Sequence, residues 1–145
     1  MIAIKKYSDL TRDELFDILK LRTDIFVVEQ NCPYPELDEE DKRAFHLIQV
    51  ENQIVIGTLR IITNSNKSYC KIGRVAVHKD YRKRGYGKLI MEAALAFIKS
   101  DLKEKLVVIS AQQYLDAFYN NLGFKNTGKK YLEDGIPHQE MTLEL

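Results

Sequence analysis

The sequence has few of the features that mark membrane, secreted or metal-binding proteins. No long apolar run occurs in its 145 residues, and the first six residues lack the apolar segment of a secretory signal. Its two cysteines, Cys32 and Cys70, have neither a metal-ligand nor a redox spacing, so we expect two free thiols. These absences predict a cytoplasmic protein with no metal site and no membrane contact.

The net charge is also small. The chain has 22 basic and 21 acidic residues, a formal charge of +1, so no global field would attract nucleic acid. No nucleic-acid partner is therefore predicted. A hydrophobic content of 45% is ordinary for a globular protein, and no repeat, linker or low-complexity segment occurs. The length predicts one domain, residues 1–145, around a single core.

Strand and helix patterns alternate along the chain. A helix is predicted to run to about Phe26 from an N-cap at either Ser8 or Thr11, and Glu14 would complete a capping box with Thr11. An extended path should follow, because Pro33 and Pro35 stand two residues apart. The other expected elements are strands over 1–7, 44–51, 54–62 and 69–77, a helix ending near Ser100, a strand over 105–110, a helix over 112–122, and strands over 124–130 and 137–143, with turns at 52–53, 64–68 and 133–135.

The order of these elements predicts the sheet. Three strands linked by short turns imply an antiparallel meander, and the strand, helix, strand series that follows implies a right-handed parallel crossover. We therefore predict an α/β (α+β) fold, with a mixed, mostly antiparallel central sheet flanked by helices.

A basic, glycine-containing turn stands between the third meander strand and the next helix. Its spacing is Arg-x-x-Gly-x-Gly, from Arg82 to Gly87, which is neither a dinucleotide-binding pattern nor a P-loop. This turn could bind a diphosphate through free N–H groups at the helix start, with glycines that allow close approach and basic side chains that add positive charge. The alternative is a solvated basic turn with no ligand. The candidate ligands are Arg82, Lys83, Arg84, Gly85, Tyr86, Gly87 and Lys88.

A second motif, residues 118–124, reads Phe-Tyr-Asn-Asn-Leu-Gly-Phe. The two motifs together resemble the GNAT N-acetyltransferase superfamily, whose pyrophosphate loop is Gln/Arg-x-x-Gly-x-Gly/Ala and whose later helix ends in Phe-Tyr-x-x-Leu-Gly-Phe. The superfamily's usual Asn, seven residues before the tyrosine, is replaced here by Gln112. Residues 21–34 with Asp38 and Asp41, and the ending 133–141, resemble the ElaA-type subgroup.

The resemblance implies a GNAT-type fold in which a splayed strand pair holds acetyl-CoA as co-substrate. Val75, Ala76 and Val77 would run along the pantetheine arm, and the Val77 N–H would polarise the thioester carbonyl. Gln112 would bind pantetheine through its side-chain amide. Tyr119 would contact the cofactor and protonate the departing thiolate; a tyrosine that only packs in the core is the alternative.

The acceptor side is less well defined by the sequence. The candidate bases are Glu29, Asp38, Glu133, Asp134 and His138. We predict that Glu29 and His138 are catalytic, and of the five candidates His138 has the ordinary pKa nearest neutral pH. The resemblance places Arg22, Phe26, Glu29 and Gln30 in an acceptor-binding wall. The acidic residues 36–41 either form a solvated loop or, if they border the site, would suit a cationic acceptor.

These residues predict acetyl transfer to a primary amine of a small molecule or peptide, by direct attack in a ternary complex. A ping-pong scheme through Cys32 is disfavoured, because no adjacent histidine would activate the thiol. The alternative function is a non-catalytic acyl-CoA-binding regulatory module. A homodimer is compatible with either function, and the acceptor amine is not identified by the sequence.

Overall fold

The computed structural model describes residues 1–64 and 66–145, which form one seven-stranded sheet with the order β1-β2-β3-β4-β5-β7-β6. Neighbouring strands are antiparallel except β4 and β5, which are parallel. The predicted mixed, mostly antiparallel sheet flanked by helices is confirmed. The strands are β1 (Ile2–Lys6), β2 (Phe45–Glu51), β3 (Ile54–Ile62), β4 (Cys70–Val77), β5 (Leu106–Gln112), β6 (Lys125–Glu133) and β7 (Ile136–Glu144); the α-helices are α1 (Arg12–Thr23), α2 (Glu40–Arg43), α3 (Tyr86–Phe97) and α4 (Asp116–Asn121).

Two predicted turns form two-residue hairpins with left-handed backbone. Asn52 and Gln53 have φ values of 49° and 63°, and Asp134 and Gly135 have values of 50° and 78°. Positive φ at both central residues matches the twist of the flanking strands, which fixes the register of each hairpin. The predicted turn over 64–68 includes Ser65, which lies outside the described residues.

The first helix begins as predicted and ends differently. The Thr11 side chain accepts the Glu14 N–H at 3.0 Å, and the Glu14 carboxylate accepts the Thr11 N–H at 2.9 Å, which completes the capping box. The predicted non-helical path begins later than expected, because a π-helical segment, Asp24–Glu29, continues the chain before the non-helical residues around Pro33 and Pro35. The helix predicted from Gln112 also begins later: Gln112 ends β5, and a short 3-10 turn precedes α4.

Helices α1 and α3 cover opposite faces of the sheet. Alternate residues of β4 point to opposite sides, so that Ala76 packs with α1 whereas Val75 and Val77 pack against the larger core. The larger core contains the buried face of α3, including Ile90 and Met91. In the described part of the chain, no helix is both long enough and apolar enough to cross a membrane.

His46 on β2 is a buried structural histidine. Its Nε2 lies 2.8 Å from the Asp41 carbonyl oxygen and donates to it, while Nδ1 has no partner among the described residues. Burial lowers the pKa of His46 below its ordinary value of 6.5. The folded protein therefore holds this ring neutral.

Acidification should therefore destabilise the protein through His46. Below pH 6.5 the unfolded chain binds a proton that the folded ring resists, so stability is lost as the pH falls toward the folded pKa, by at most about 1.4 kcal/mol per pH unit. Urea unfolding of His46→Gln between about pH 7.5 and pH 5 should show a flatter pH dependence than the wild-type protein. Equal slopes for the wild type and His46→Gln would contradict this assignment.

Candidate active site

The functional cleft opens where β4 and β5 separate. These strands pair over only three residues each, Cys70–Ile72 with Val107–Ile109. After Ile72, β4 continues along β3 with an irregular register and a left-handed Arg74, whose φ is 53°, while β5 continues along β7. The divergence leaves a cleft of about 740 Å³ between them. The predicted splayed strand pair is confirmed.

The cleft brings together most of the residues predicted for the site. Its lining includes Phe26, Glu29, Gln30, Val75, Ala76, Val77, Arg82, Lys83, Gly85, Tyr86, Gly87, Lys88, Gln112, Tyr119 and His138. Three predicted residues, Arg22, Asp38 and Arg84, do not line it. The cleft thus joins the loop after β4, the splayed strands and the β6–β7 hairpin in one space.

Backbone N–H groups at the start of α3 bound one end of the cleft. The first N–H to bond within the helix is that of Leu89, which donates to the Gly85 carbonyl at 3.0 Å. Residues 86–88, whose N–H groups have no partner within the helix, line the cleft. Gly85 has a φ of 82°, in the left-handed region that favours glycine, and Gly87 lies beside the Phe118 ring. The glycine at position 85 therefore lets the loop turn tightly before α3.

The basic side chains of the loop have different roles. Lys83 and Lys88 border the cleft. Arg82 is already engaged, since its Nε donates to the Val77 carbonyl at 3.1 Å and its terminal nitrogens donate to Glu29 at 2.7 and 2.9 Å. Arg84, predicted as a phosphate ligand, lies instead over the Tyr81 ring at 5.4 Å. The lysines and the helix start are therefore the groups available to an anion.

Tyr119 lies at the base of the cleft. Its ring packs edge-on against Phe118 and Phe124, and the Phe124 N–H closes α4 by donating to the Tyr119 carbonyl at 3.1 Å. The side chain is 6% exposed, and its hydroxyl has no hydrogen-bond partner within residues 1–64 and 66–145. Burial raises the pKa of Tyr119 to about 12. The phenol therefore stays protonated at neutral pH, so a proton is present for a leaving thiolate, while the raised pKa makes Tyr119 a weaker acid than an exposed tyrosine.

Two amide side chains meet across the cleft. The Gln30 and Gln112 amides donate to each other's oxygens, each at 3.3 Å. Gln30 follows the π-helical segment and Gln112 ends β5, so this contact connects the two walls. The amide of Gln112 thus borders the space between the splayed strands.

His138 and Glu133 form an interacting pair near the β6–β7 hairpin. The His138 Nδ1 lies 2.7 Å from the Ile136 carbonyl oxygen, which can only accept, so Nδ1 carries a proton. Nε2 lies 3.2 Å from a Glu133 oxygen, and the ring stacks on Tyr131. His138 is buried, whereas the Glu133 side chain is half exposed. Nε2 is therefore the ring nitrogen that can exchange a proton in the cleft.

Glu29 is a poor base despite its position in the cleft. The two hydrogen bonds from Arg82 lower the pKa of Glu29 below its ordinary value. A carboxylate that holds its charge so firmly accepts a proton less readily. The contacts of Glu29 indicate that it braces the loop rather than taking the proton predicted for it.

Arg22 is the clearest correction to the predicted acceptor wall. It is only 1% exposed and contacts Glu36 at 2.8 Å and Asp41 at 2.7 Å. These contacts belong to a charge cluster in the protein, which consists of Arg22, Arg60, Arg74, Glu36, Asp38 and Asp41. The burial of Glu36 and Asp41 contradicts a solvated or acceptor-binding loop at these two residues, whereas Asp38 contacts Arg60 and keeps a side chain that is 38% exposed. Asp38, a predicted candidate base, contacts Arg60 at 2.6 Å and does not border the cleft.

Arg74 is a cleft residue that the sequence analysis did not identify. Its Nε lies 2.6 Å from Glu36, and its guanidinium lies 5.7 Å from the centre of the Tyr34 ring. The available signal was Gly73, since a glycine inside a strand pattern often marks a bulge that redirects a side chain. The irregular register between β3 and β4 occurs at this point.

Comparison with known proteins identifies the family. Residues 18–145 match the family model described as an acetyltransferase (GNAT) domain. The chain belongs to the GNAT acetyltransferase family. This GNAT chain is 44% identical over 143 residues to a UPF0039 protein of Schizosaccharomyces pombe, covering 97% of this chain and 95% of that protein.

Two bacterial relatives define its subgroup. ElaA of Escherichia coli is 34% identical over 142 residues, with 96% of this chain and 93% of ElaA covered, and the crystal structure of ElaA matches with a TM-score of 0.91. The crystal structure named as an acyl-CoA N-acyltransferase from Pseudomonas aeruginosa matches with a TM-score of 0.92 at 36% identity, covering 98% of this chain and 97% of that one. This GNAT chain is therefore ElaA-like, and its fold is that of GNAT acyltransferases.

Proposed function

We propose that this protein is an acetyl-CoA-dependent N-acetyltransferase, acting as a single GNAT domain over residues 1–145 in the cytoplasm. Its acceptor is a primary amine of a small molecule or peptide, which attacks directly in a ternary complex. One observation carries the proposal: the splayed strands β4 and β5 and the free N–H groups at the start of α3 border the same cleft. The name of the Pseudomonas aeruginosa relative, an acyl-CoA N-acyltransferase, supports it.

The phosphate end of the cleft would hold the CoA diphosphate. The N–H groups of residues 86–88 and the positive end of the α3 dipole attract anions. Lys83 and Lys88 add positive charge, while Arg82 supports the loop through Val77 and Glu29.

The free edge of β4 would hold the pantetheine arm. The His78 N–H bonds to the Ile56 carbonyl of β3 at 2.7 Å, so by strand alternation the N–H groups of Val75 and Val77 face the cleft. A thioester carbonyl beside one of these donors would be polarised as in an oxyanion hole. The amide of Gln112 is placed to bind the same arm from the opposite strand.

The reaction then requires two proton transfers. The unprotonated amine attacks the thioester carbonyl carbon, forming the C–N bond, and the C–S bond breaks as the tetrahedral intermediate collapses. Tyr119 donates its proton to the CoA thiolate and regains one from water. The proton released by the amine passes to Nε2 of His138, directly or through water. The products are an N-acetyl amine and CoA.

CoA should stabilise the folded protein against heat. A ligand at about 100 times its Kd adds about 2.7 kcal/mol, which corresponds to several degrees in Tm. Differential scanning fluorimetry with CoA should show this shift, and Lys83→Glu/Lys88→Glu should lose most of it. The matched control is Lys99→Glu/Lys125→Glu, which makes the same charge change at exposed sites outside the cleft. Absence of a shift in the wild-type protein would refute cofactor binding.

A further inference from the structure

We infer that the acceptor is a small α,ω-diamine or polyamine, whose second ammonium group is recognised by Asp134 at the β6–β7 hairpin. This inference rests on the proposed transfer of an acetyl group to an amine, and it names the class of that amine. Asp134 would act as a specificity-determining residue and would take no part in the chemistry.

The charges that border the cleft are divided between its two ends. Arg82 is neutralised by Glu29, and Arg74 by Glu36. The positive charges that remain at the phosphate end are those of Lys83 and Lys88. Lys88 also lies 3.7 Å from the exposed Glu92. The far end contains Glu133 and Asp134. Once the internal pairs are set aside, the cleft is therefore positive where the diphosphate binds and negative where the acceptor would enter.

Asp134 is the negative group in that end without a partner of its own. Glu133 contacts His138, but Asp134 has no ion pair in the part of the chain that the structure describes. Its position is fixed by the hairpin, where it has a φ of 50°, and its carbonyl accepts the Cys32 thiol at 3.4 Å. Burial raises the pKa of Tyr34, which borders the cleft, to about 12, and the charges of Glu36 and Asp134 contribute to the rise.

The Tyr119 hydroxyl indicates that a ligand occupies the same cleft. The residue is 6% exposed and borders the cleft, and its hydroxyl is not one of the fully enclosed polar atoms and has no hydrogen-bond partner among the described residues, as expected for a group whose partner arrives with the substrates. Apolar side chains border the space as well, including Ile72, Ile109 and Ile136. A methylene chain suits such walls, and positive groups at its ends suit the hairpin carboxylates.

An acceptor with its own carboxylate fits this end poorly. Such a group would meet the charges of Glu133 and Asp134, while the guanidinium of Arg74 is already occupied by Glu36. Like charges brought together in a partly enclosed cleft repel, which selects against that acceptor. A neutral alkyl tail would be tolerated without being selected.

Titration calorimetry on the CoA-saturated protein separates these three kinds of acceptor. The ligands are the four-carbon α,ω-diamine, the isosteric pentylamine and γ-aminobutyrate. We expect the diamine to bind about 5-fold more tightly than pentylamine, the upper range for a partly exposed ion pair, and γ-aminobutyrate to bind most weakly. Asp134→Asn removes the charge and suits the left-handed turn, so it should bind the diamine no better than pentylamine. Asp17→Asn on the outer surface of α1 is the matched control.

Each outcome bears on the inference. A diamine preference that Asp134→Asn removes and Asp17→Asn retains supports it. The inference is overturned if the diamine and pentylamine bind with equal affinity, if neither binds, or if the preference for the diamine survives in Asp134→Asn, whether or not CoA binds. Failure of the proposed function is a separate result, which would be seen as absence of a thermal shift with CoA.

Discussion

Tyr119→Phe is expected to lower kcat for acetyl transfer by about 100-fold, while CoA binds with nearly unchanged affinity. The substitution removes only the hydroxyl, and the ring keeps its packing against Phe118 and Phe124. The CoA thiolate would then leave without a proton donor beside it. Because burial raises the pKa of Tyr119 to about 12, its ionisation should produce no limb in the pH–rate profile below about pH 10.

The measurement is CoA release from acetyl-CoA in the presence of a primary amine, with CoA affinity determined by calorimetry. Tyr114→Phe is the matched control, because Tyr114 also borders the cleft but is 73% exposed. We expect that variant to retain wild-type turnover within about 3-fold. Turnover of Tyr119→Phe equal to that of the wild type would rule out the acid role and leave Tyr119 as a packing residue.

Asp41→Ala is expected to destabilise the protein by about 3–5 kcal/mol. The Asp41 carboxylate contacts Arg22 at 2.7 Å and Arg60 at 2.8 Å, and all three side chains are at least nine-tenths buried. Removing it leaves two buried guanidinium groups without sufficient compensating charge. Although burial alone would raise it, contact with the two arginines holds the pKa of Asp41 below its ordinary value of 3.8. This contribution to stability is therefore present above pH 3.8 and is lost as the pH falls through the folded pKa.

Urea unfolding at neutral pH measures the loss. Glu40→Ala is the neighbouring control, since Glu40 makes only an exposed contact with Arg43, at 2.7 Å, and should change the unfolding free energy by less than about 1 kcal/mol. If the two variants were equally stable, the charge cluster would not hold the segment before α2 against the sheet.

The same cluster explains why the acceptor wall was only partly predictable. Arg22 was identified as unusual because it interrupts an apolar helix face, but its partners Glu36 and Asp41 lie 14 and 19 residues further along the chain. The acidic residues 36–41 therefore had the sequence pattern of a solvated loop. The burial of Glu36 and Asp41 depends on the positions of Arg60 and Arg74 on β3 and β4, which no local pattern contains.

The two motifs were more predictable because each is a local structure. Arg82 to Gly87 forms a turn at a helix start, and Leu122, Gly123 and Phe124 close α4. The roles proposed for Tyr119 and His138 remain predictions. The structure adds that Arg84 lies over Tyr81 and that Glu29 is bound to Arg82, contacts that arise only when separate segments meet.

The sequence by itself determined the order of the elements, the hairpin turns and the glycine loop before α3, because dihedral preferences and hydrophobic periodicity act over a few residues. The tertiary structure decided which charges are cancelled and which remain available in the cleft. Such pairing depends on distances between residues far apart in sequence. The basic glycine loop proposed to bind a diphosphate was thus apparent from the sequence, whereas the uncompensated charge of Asp134 at the opposite end became evident only in the folded chain.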